Sequence, residues 1–148
     1  MFLKRADLDG DGLQDVLVST KPREILFPRR TARDGRSWLP HTIRHPEHTG
    51  TAKGLAVGDV DGDGKPNLVI TCEQADAGKW GIFRLSDRRA PTDAEWDLHP
   101  ISGADAVKHD LVELIDLDGD GDPDVLTCEE ARNLGVIWYE NPLRKSGR

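Results

Sequence analysis

Long apolar runs are missing from this chain of 148 residues. No stretch approaches 18 consecutive apolar residues, so nothing in it reads as a membrane-spanning helix. The opening MFLKRADLDG lacks the apolar centre of a signal peptide. Cysteine is scarce: Cys72 and Cys128 are too few for a disulfide framework. Both are expected to be buried free thiols, because unpaired cysteine behaves as a small hydrophobe. Helical periodicity is absent as well, since no segment sustains it for ten residues. Neither G-x-x-x-x-G-K-[ST] nor G-x-G-x-x-G occurs, which removes support for a nucleotide site.

What is present is charge, unevenly placed. Charged residues make up 32% of the chain, hydrophobic ones 36%, and the net charge is -7. Three strings hold twelve of the aspartates: DLDGDGLQD at Asp7–Asp15, GDVDGDGKPN at Gly58–Asn67 and DLDGDGDPD at Asp116–Asp124. Without those twelve, 15 carboxylates face 20 lysines and arginines. The negative charge is thus concentrated at three points, as sites for small hard cations would have it. A basic run from Lys21 to Arg36 carries six basic residues. With a sequence pI near 5.2 it reads as a solvated outer strand and turn, and no nucleic-acid partner is expected.

The strings belong to a longer repeat. Each is followed by a β-rich run: VLVST from Val16, LVITC from Leu68 and VLTC from Val125. Shorter runs precede the second and third strings, GLAVGD from Gly54 and LVELID from Leu111. A third segment follows in every unit (EILFPRR, KWGIFRLS, GVIWYE), and a fourth, SWLPHTI or EWDLHPI, in the first two only. All are short, β-branched or aromatic, and bounded by Gly, Pro, Asp or Asn, as strands are. The fold class is therefore all-β: blades of four antiparallel strands, with the acidic string in the first turn of each. The expected blades are residues 1–46, 52–103 and 108–142, the third incomplete, with 143–148 a disordered tail.

The acidic string followed by an apolar strand resembles the FG-GAP/VCBS family of propeller blades, found in integrin alpha-subunit heads and in many secreted bacterial proteins. The resemblance implies a calcium-binding β-propeller in an extracellular or periplasmic setting. Two and a half blades do not close a ring. The expectation is that the chain is part of a longer propeller, the alternative being self-association of several copies.

Calcium takes six to eight hard oxygens, and alternate residues of a tight loop can aim them at one centre. The candidate ligands of the first string are Asp7, Asp9, Asp11, the carbonyl of Leu13, and Asp15. Those of the second are Asp59, Asp61, Asp63, the carbonyl of Lys65, and Asn67. The third offers Asp116, Asp118, Asp120, the carbonyl of Asp122, and Asp124. Gly12, Gly64 and Gly121 permit the sharp turns. An EF-hand is excluded, because its twelfth-position Glu is replaced by Val18, Ile70 and Thr127 and the flanks are strands. Up to three calcium ions are expected in a structural role, the second site weakest because Asn67 removes a charge.

Turns alternate ends in a meander, so the rim opposite the acidic strings collects Lys53, Glu73, Lys108, His109 and Glu129 as candidate ligand-binding residues. The pairs Trp38/His41 and Trp96/His99 lie three apart, and on a strand such positions face opposite sides. Their tryptophans are expected to pack between blades, and so are Trp80 and Trp138 of the third strands. No triad, zinc signature or phosphate loop orders these residues, so no enzyme activity is expected. The functional expectation is a secreted binding or adhesion scaffold for a protein or glycan partner. The alternative is a substrate-recognition or catalytic propeller of a carbohydrate-active protein.

Overall fold

A computed structural model describes residues 2–20, 23–104 and 108–144. Eleven strands follow in chain order: β1 (Phe2–Ala6), β2 (Asp15–Thr20), β3 (Glu24–Arg30), β4 (Trp38–Arg44), β5 (Thr51–Gly58), β6 (Asn67–Glu73), β7 (Ile82–Asp87), β8 (Trp96–Pro100), β9 (His109–Ile115), β10 (Asp124–Glu129) and β11 (Gly135–Tyr139). No helix occurs among the described residues, hence none long and apolar enough to cross a membrane. The strands form three antiparallel meanders, β1-β2-β3-β4, β5-β6-β7-β8 and β9-β10-β11, with no closed barrel. They are propeller blades in an open arc. The sheets run Phe2–Arg44, Thr51–Pro100 and His109–Tyr139, beside the expected 1–46, 52–103 and 108–142.

Register makes the blades superposable in sequence terms. Asp15 pairs with Ala6, Asn67 with Gly58 and Asp124 with Ile115, so each string ends at the same step of its hairpin. Because side chains alternate along a strand, each sheet has two faces. The leading face carries Leu17, Val69 or Leu126, and the trailing face Val16, Leu68 or Val125. Leu17, Ile25, Phe27 and Ile43 on the leading face of the first sheet share a core with Leu55, Leu68, Ile70, Phe83 and Leu85 of the second. The leading face of the second sheet in turn places Ala56, Val69 and Ile82 against Val112 and Val125 of the third.

The inner strand β5 contacts β1 and β2 on one side and β9 on the other. Side-chain room vanishes there: a Cβ on Gly54 would lie 2.5 Å from the Asp110 carbonyl and 3.1 Å from Val112. Thr71 stitches the same junction through a 2.6 Å hydrogen bond from its hydroxyl to the Asp110 carbonyl.

Several sequence-based expectations shift in detail. Lys53 and His109 lie inside β5 and β9 rather than in the links before them. The polar start of β5 hid the strand, which pairs Thr51 with Glu73 across an irregularity between Ala52 and Gly54. Both cysteines are free; Cys72 is buried, with its thiol pushed up to about 12 by burial, while Cys128 is only half-buried. Trp96 packs into the first inter-blade core, but Trp38 and Trp138 are exposed on faces without a neighbouring blade. Leu143 and Arg144 form part of a turn, with the Arg144 N–H donating to Asp122 Oδ2 at 2.7 Å. The remaining expected tail, residues 145–148, lies outside the described residues.

Candidate metal centres

The three acidic strings occupy the β1–β2, β5–β6 and β9–β10 turns, on one rim of the arc. Each coils because its leading aspartate accepts backbone N–H groups from the glycine half of the loop. Asp7 takes those of Asp11 (3.1 Å) and Gly12 (2.8 Å), Asp59 those of Gly62 (2.8 Å) and Gly64 (3.0 Å), and Asp116 those of Gly119 (2.8 Å) and Gly121 (3.1 Å). Glycine is needed there because φ is positive at both glycines of every loop, from 72° at Gly62 to 91° at Gly121.

The last polar residue of each string closes the loop. Asp15 accepts the Leu8 N–H at 3.1 Å, Asn67 the Val60 N–H at 2.9 Å, and Asp124 the Leu117 N–H at 3.1 Å. This bracket spans seven residues in all three blades. It requires an acceptor and no charge, so an amide serves in the second blade where carboxylates serve in the others. Asp15 and Asp124 also use their second oxygens, for the N–H groups of Arg30 and Asn141, both at 2.8 Å. An ionised carboxylate keeps further lone pairs beyond these bonds. Burial pushes the Asp15 carboxyl up, partly offset by its two backbone donors.

Three oxygen clusters result. One atom each from Asp7, Asp9 and Asp15, from Asp59, Asp61 and Asp63, and from Asp116, Asp118 and Asp120 lie within 4.8 Å of one another. Asp11 falls outside the first group and turns one oxygen to Arg29. Arginine participates in a way the sequence reading missed. Arg29 of β3 pairs with both Asp9 and Asp11, and Arg84 of β7 pairs with Asp61. The third loop meets Arg144, which reaches the Gly121 carbonyl rather than the clustered carboxylates. The signal was an arginine in the third strand of the first two units and its absence from β11.

The donor chemistry fits a hard divalent cation. Asp61 Oδ1, Asp118 Oδ2, Asp120 Oδ2 and Asp122 Oδ1 are buried oxygens with no hydrogen-bond donor. A cation would satisfy them; unpaired, each carries a desolvation cost. Asp122 is itself almost fully buried, so its side chain joins the candidate set alongside its carbonyl. Burial pushes its carboxyl up, and Asp120 and Asp124 add to the shift.

The opposite rim is built differently. Lys53 forms ion pairs with Asp110 at 2.7 Å and Glu73 at 3.5 Å, and the Asp110 bond chiefly raises its pKa. Lys108 pairs with Glu130. His109 is buried edge-on to Tyr139, with ring centroids 6.3 Å apart, and burial lowers its pKa. Glu129 is buried under the β10–β11 turn and accepts N–H groups from Ala131, Arg132 and Leu134. Burial opposes ionisation there, but those donors hold the carboxyl below its usual range.

Antiparallel four-stranded units with an acidic, glycine-kinked first turn define a repeat protein of the propeller-blade class. Residues 7–70 match the family described as the FG-GAP-like repeat, and over that span the chain carries this repeat. The match runs from the first acidic aspartate into β6, so it includes the first two loops. Comparisons with curated proteins and with solved structures found no match.

Proposed function

We propose that the chain is a calcium-binding propeller module that works as a secreted binding or adhesion scaffold for a protein or glycan partner. The observation that supports it is the triplicate carboxylate cluster, three aspartate oxygens within 4.8 Å in the same turn of every blade. Hard oxygens at that density, some buried without donors, suit calcium, and flexible loop geometry suits it better than the small octahedron of magnesium. Each ion would tie the two halves of its loop together. The ions serve the blades, and the proposal assigns no catalytic step.

The loops differ in charge, and so in the affinity they are expected to have. The third offers five carboxylates, three of them with an orphaned buried oxygen, and Arg144 meets only Asp122 among them, through its backbone N–H, without an ion pair among the described residues. The first has four carboxylates with Arg29 against two of them, and the second has three with Arg84 against one. Affinity should therefore fall in the order third, first, second. Calorimetric titration with calcium, beside thermal melts in calcium and in chelator, tests this. A site held at 100 times its Kd adds about 2.7 kcal/mol to stability. The expected result is binding to up to three sites and a melt that rises with calcium far more than with magnesium. No heat and identical melts would overturn the proposal.

A further inference from the structure

The two inter-blade junctions obey one rule: a leading face packs on the next trailing face. The first sheet leaves its trailing face open and the third its leading face, so the two open faces are the two halves of a junction the fold already builds twice. Equivalent positions show what those faces are made for. On leading faces, Ile25 and Ile82 are fully buried, while their counterpart Val136 is 71% exposed. Phe27 is likewise buried, and its counterpart Trp138 is exposed. On trailing faces, Leu55 and Val112 are buried, whereas Leu3 is 63% exposed. Phe83 is buried, and its counterpart Leu26 is exposed. The open faces keep the apolar residues of the closed ones.

On the inner strands β1 and β9 two charges interrupt this pattern, and they have opposite sign. Arg5 stands on the trailing face where the other blades have Val57 and Leu114, and Glu113 on the leading face where they have Lys4 and Ala56. In the second junction Gly58, the counterpart of Ile115, approaches Leu114, the counterpart of Arg5. Ala56 shares that core with Val112, the counterpart of Leu3. A third junction of the same kind would set Glu113 between Leu3 and Arg5 of its neighbour. Inside one chain Glu113 contacts only the half-exposed Lys4, at 3.3 Å, among the ion pairs of the described residues.

We propose that the occupant of these faces is a second copy of this chain, docked head-to-tail with the third sheet of one against the first sheet of the other. Two such contacts would join six sheets, within the four to eight blades of closed propellers. Heterologous contacts of this kind form rings when the rotation closes.

Sedimentation equilibrium of the chain in millimolar calcium tests it, with Leu3→Asp and Val136→Asp as probes. Both side chains are exposed, so neither change should disturb the folded monomer, and circular dichroism verifies that. The expected result is a species of twice 16.4 kDa for the unaltered chain. Each variant alone should associate more than about tenfold more weakly. A mixture of the two variants should recover dimer, because it restores one pair of intact faces. Arg5→Glu and Glu113→Arg should each weaken association, and the double variant should regain it. A protein that stays monomeric at about 100 μM would overturn the proposal. So would association surviving in either single variant, which would mean that a face pairs with itself, or a dimer formed only with a different protein.

Discussion

The middle sheet and its two flanks are made from one repeat, yet they meet different surroundings. Six of the seven residues of β6 are buried, on both faces, while in its counterpart β2 the open-face residues Val16 and Val18 are only half-buried. β11 is exposed or half-exposed throughout. The difference lies in neighbours more than in residue type: Phe83 and Leu26 hold the same position, and only Phe83 has a blade against it. An apolar side chain in a strand thus reports where a partner belongs, and burial reports whether the chain itself supplies one.

The largest expected effect sharpens that contrast. Phe83→Ala should cost about 3–5 kcal/mol, whereas Leu26→Ala, its counterpart on the open face, should stay within about 0.5 kcal/mol. Urea denaturation of both variants in dilute solution checks it, and equal losses would erase the distinction between middle and flank. A second effect concerns the first link. His45 is buried edge-on to Phe83 at 5.4 Å, with Nδ1 2.9 Å from the Thr49 hydroxyl. Burial, assisted by the Arg23 charge, pushes its pKa down to about 4. The unfolded chain titrates this histidine near 6.5. Its stabilising contribution is therefore complete above about pH 6.5 and is lost as pH falls to about 4, by up to about 1.4 kcal/mol per pH unit. Denaturation at pH 6.5 and 5 in calcium-free buffer should show the decline, and His45→Gln should reduce it, leaving the part due to His99 and His109, whose pKa values burial also lowers.

A smaller effect separates the brackets. Asp15→Asn would place an NH₂ group against a backbone N–H, since both carboxylate oxygens already accept one, at a cost of about 1–3 kcal/mol. Asn67 accepts its two N–H groups through Oδ1, so Asn67→Asp should leave the fold nearly as stable without calcium and raise calcium affinity at that loop. Chemical denaturation and calcium titration of the pair measure both halves. An unchanged Asp15→Asn protein would remove the bracket from the account of the loop.

Much of the fold was legible because each unit marks its own boundaries: Gly and Asp end the first strand, and β-branched runs begin the second. The start of β5 was not, since Thr51 and Lys53 carry no alternation: Thr51 and Ala52 pair with Glu73 and Cys72, and the register then shifts past Lys53. At the candidate site, the carboxylates were evident from spacing alone. The second use of Asp15, Asn67 and Asp124 was not, because a metal ligand and an N–H acceptor draw on the same oxygens. Nor were Arg29 and Arg84, whose partners stand 20 and 23 residues earlier and meet them only after the third strand has paired.

The seven-residue bracket also bears on the order in which the chain folds. Closing so short a loop costs little chain entropy, and turns of this size form within microseconds. Each acidic hairpin can consequently assemble before its sheet finds a neighbour, leaving blade docking as the slow step. Pulse-labelled hydrogen exchange would then find the amides of Leu8, Val60 and Leu117 protected ahead of the Arg44 amide, which donates across blades to the Ala94 carbonyl at 2.8 Å.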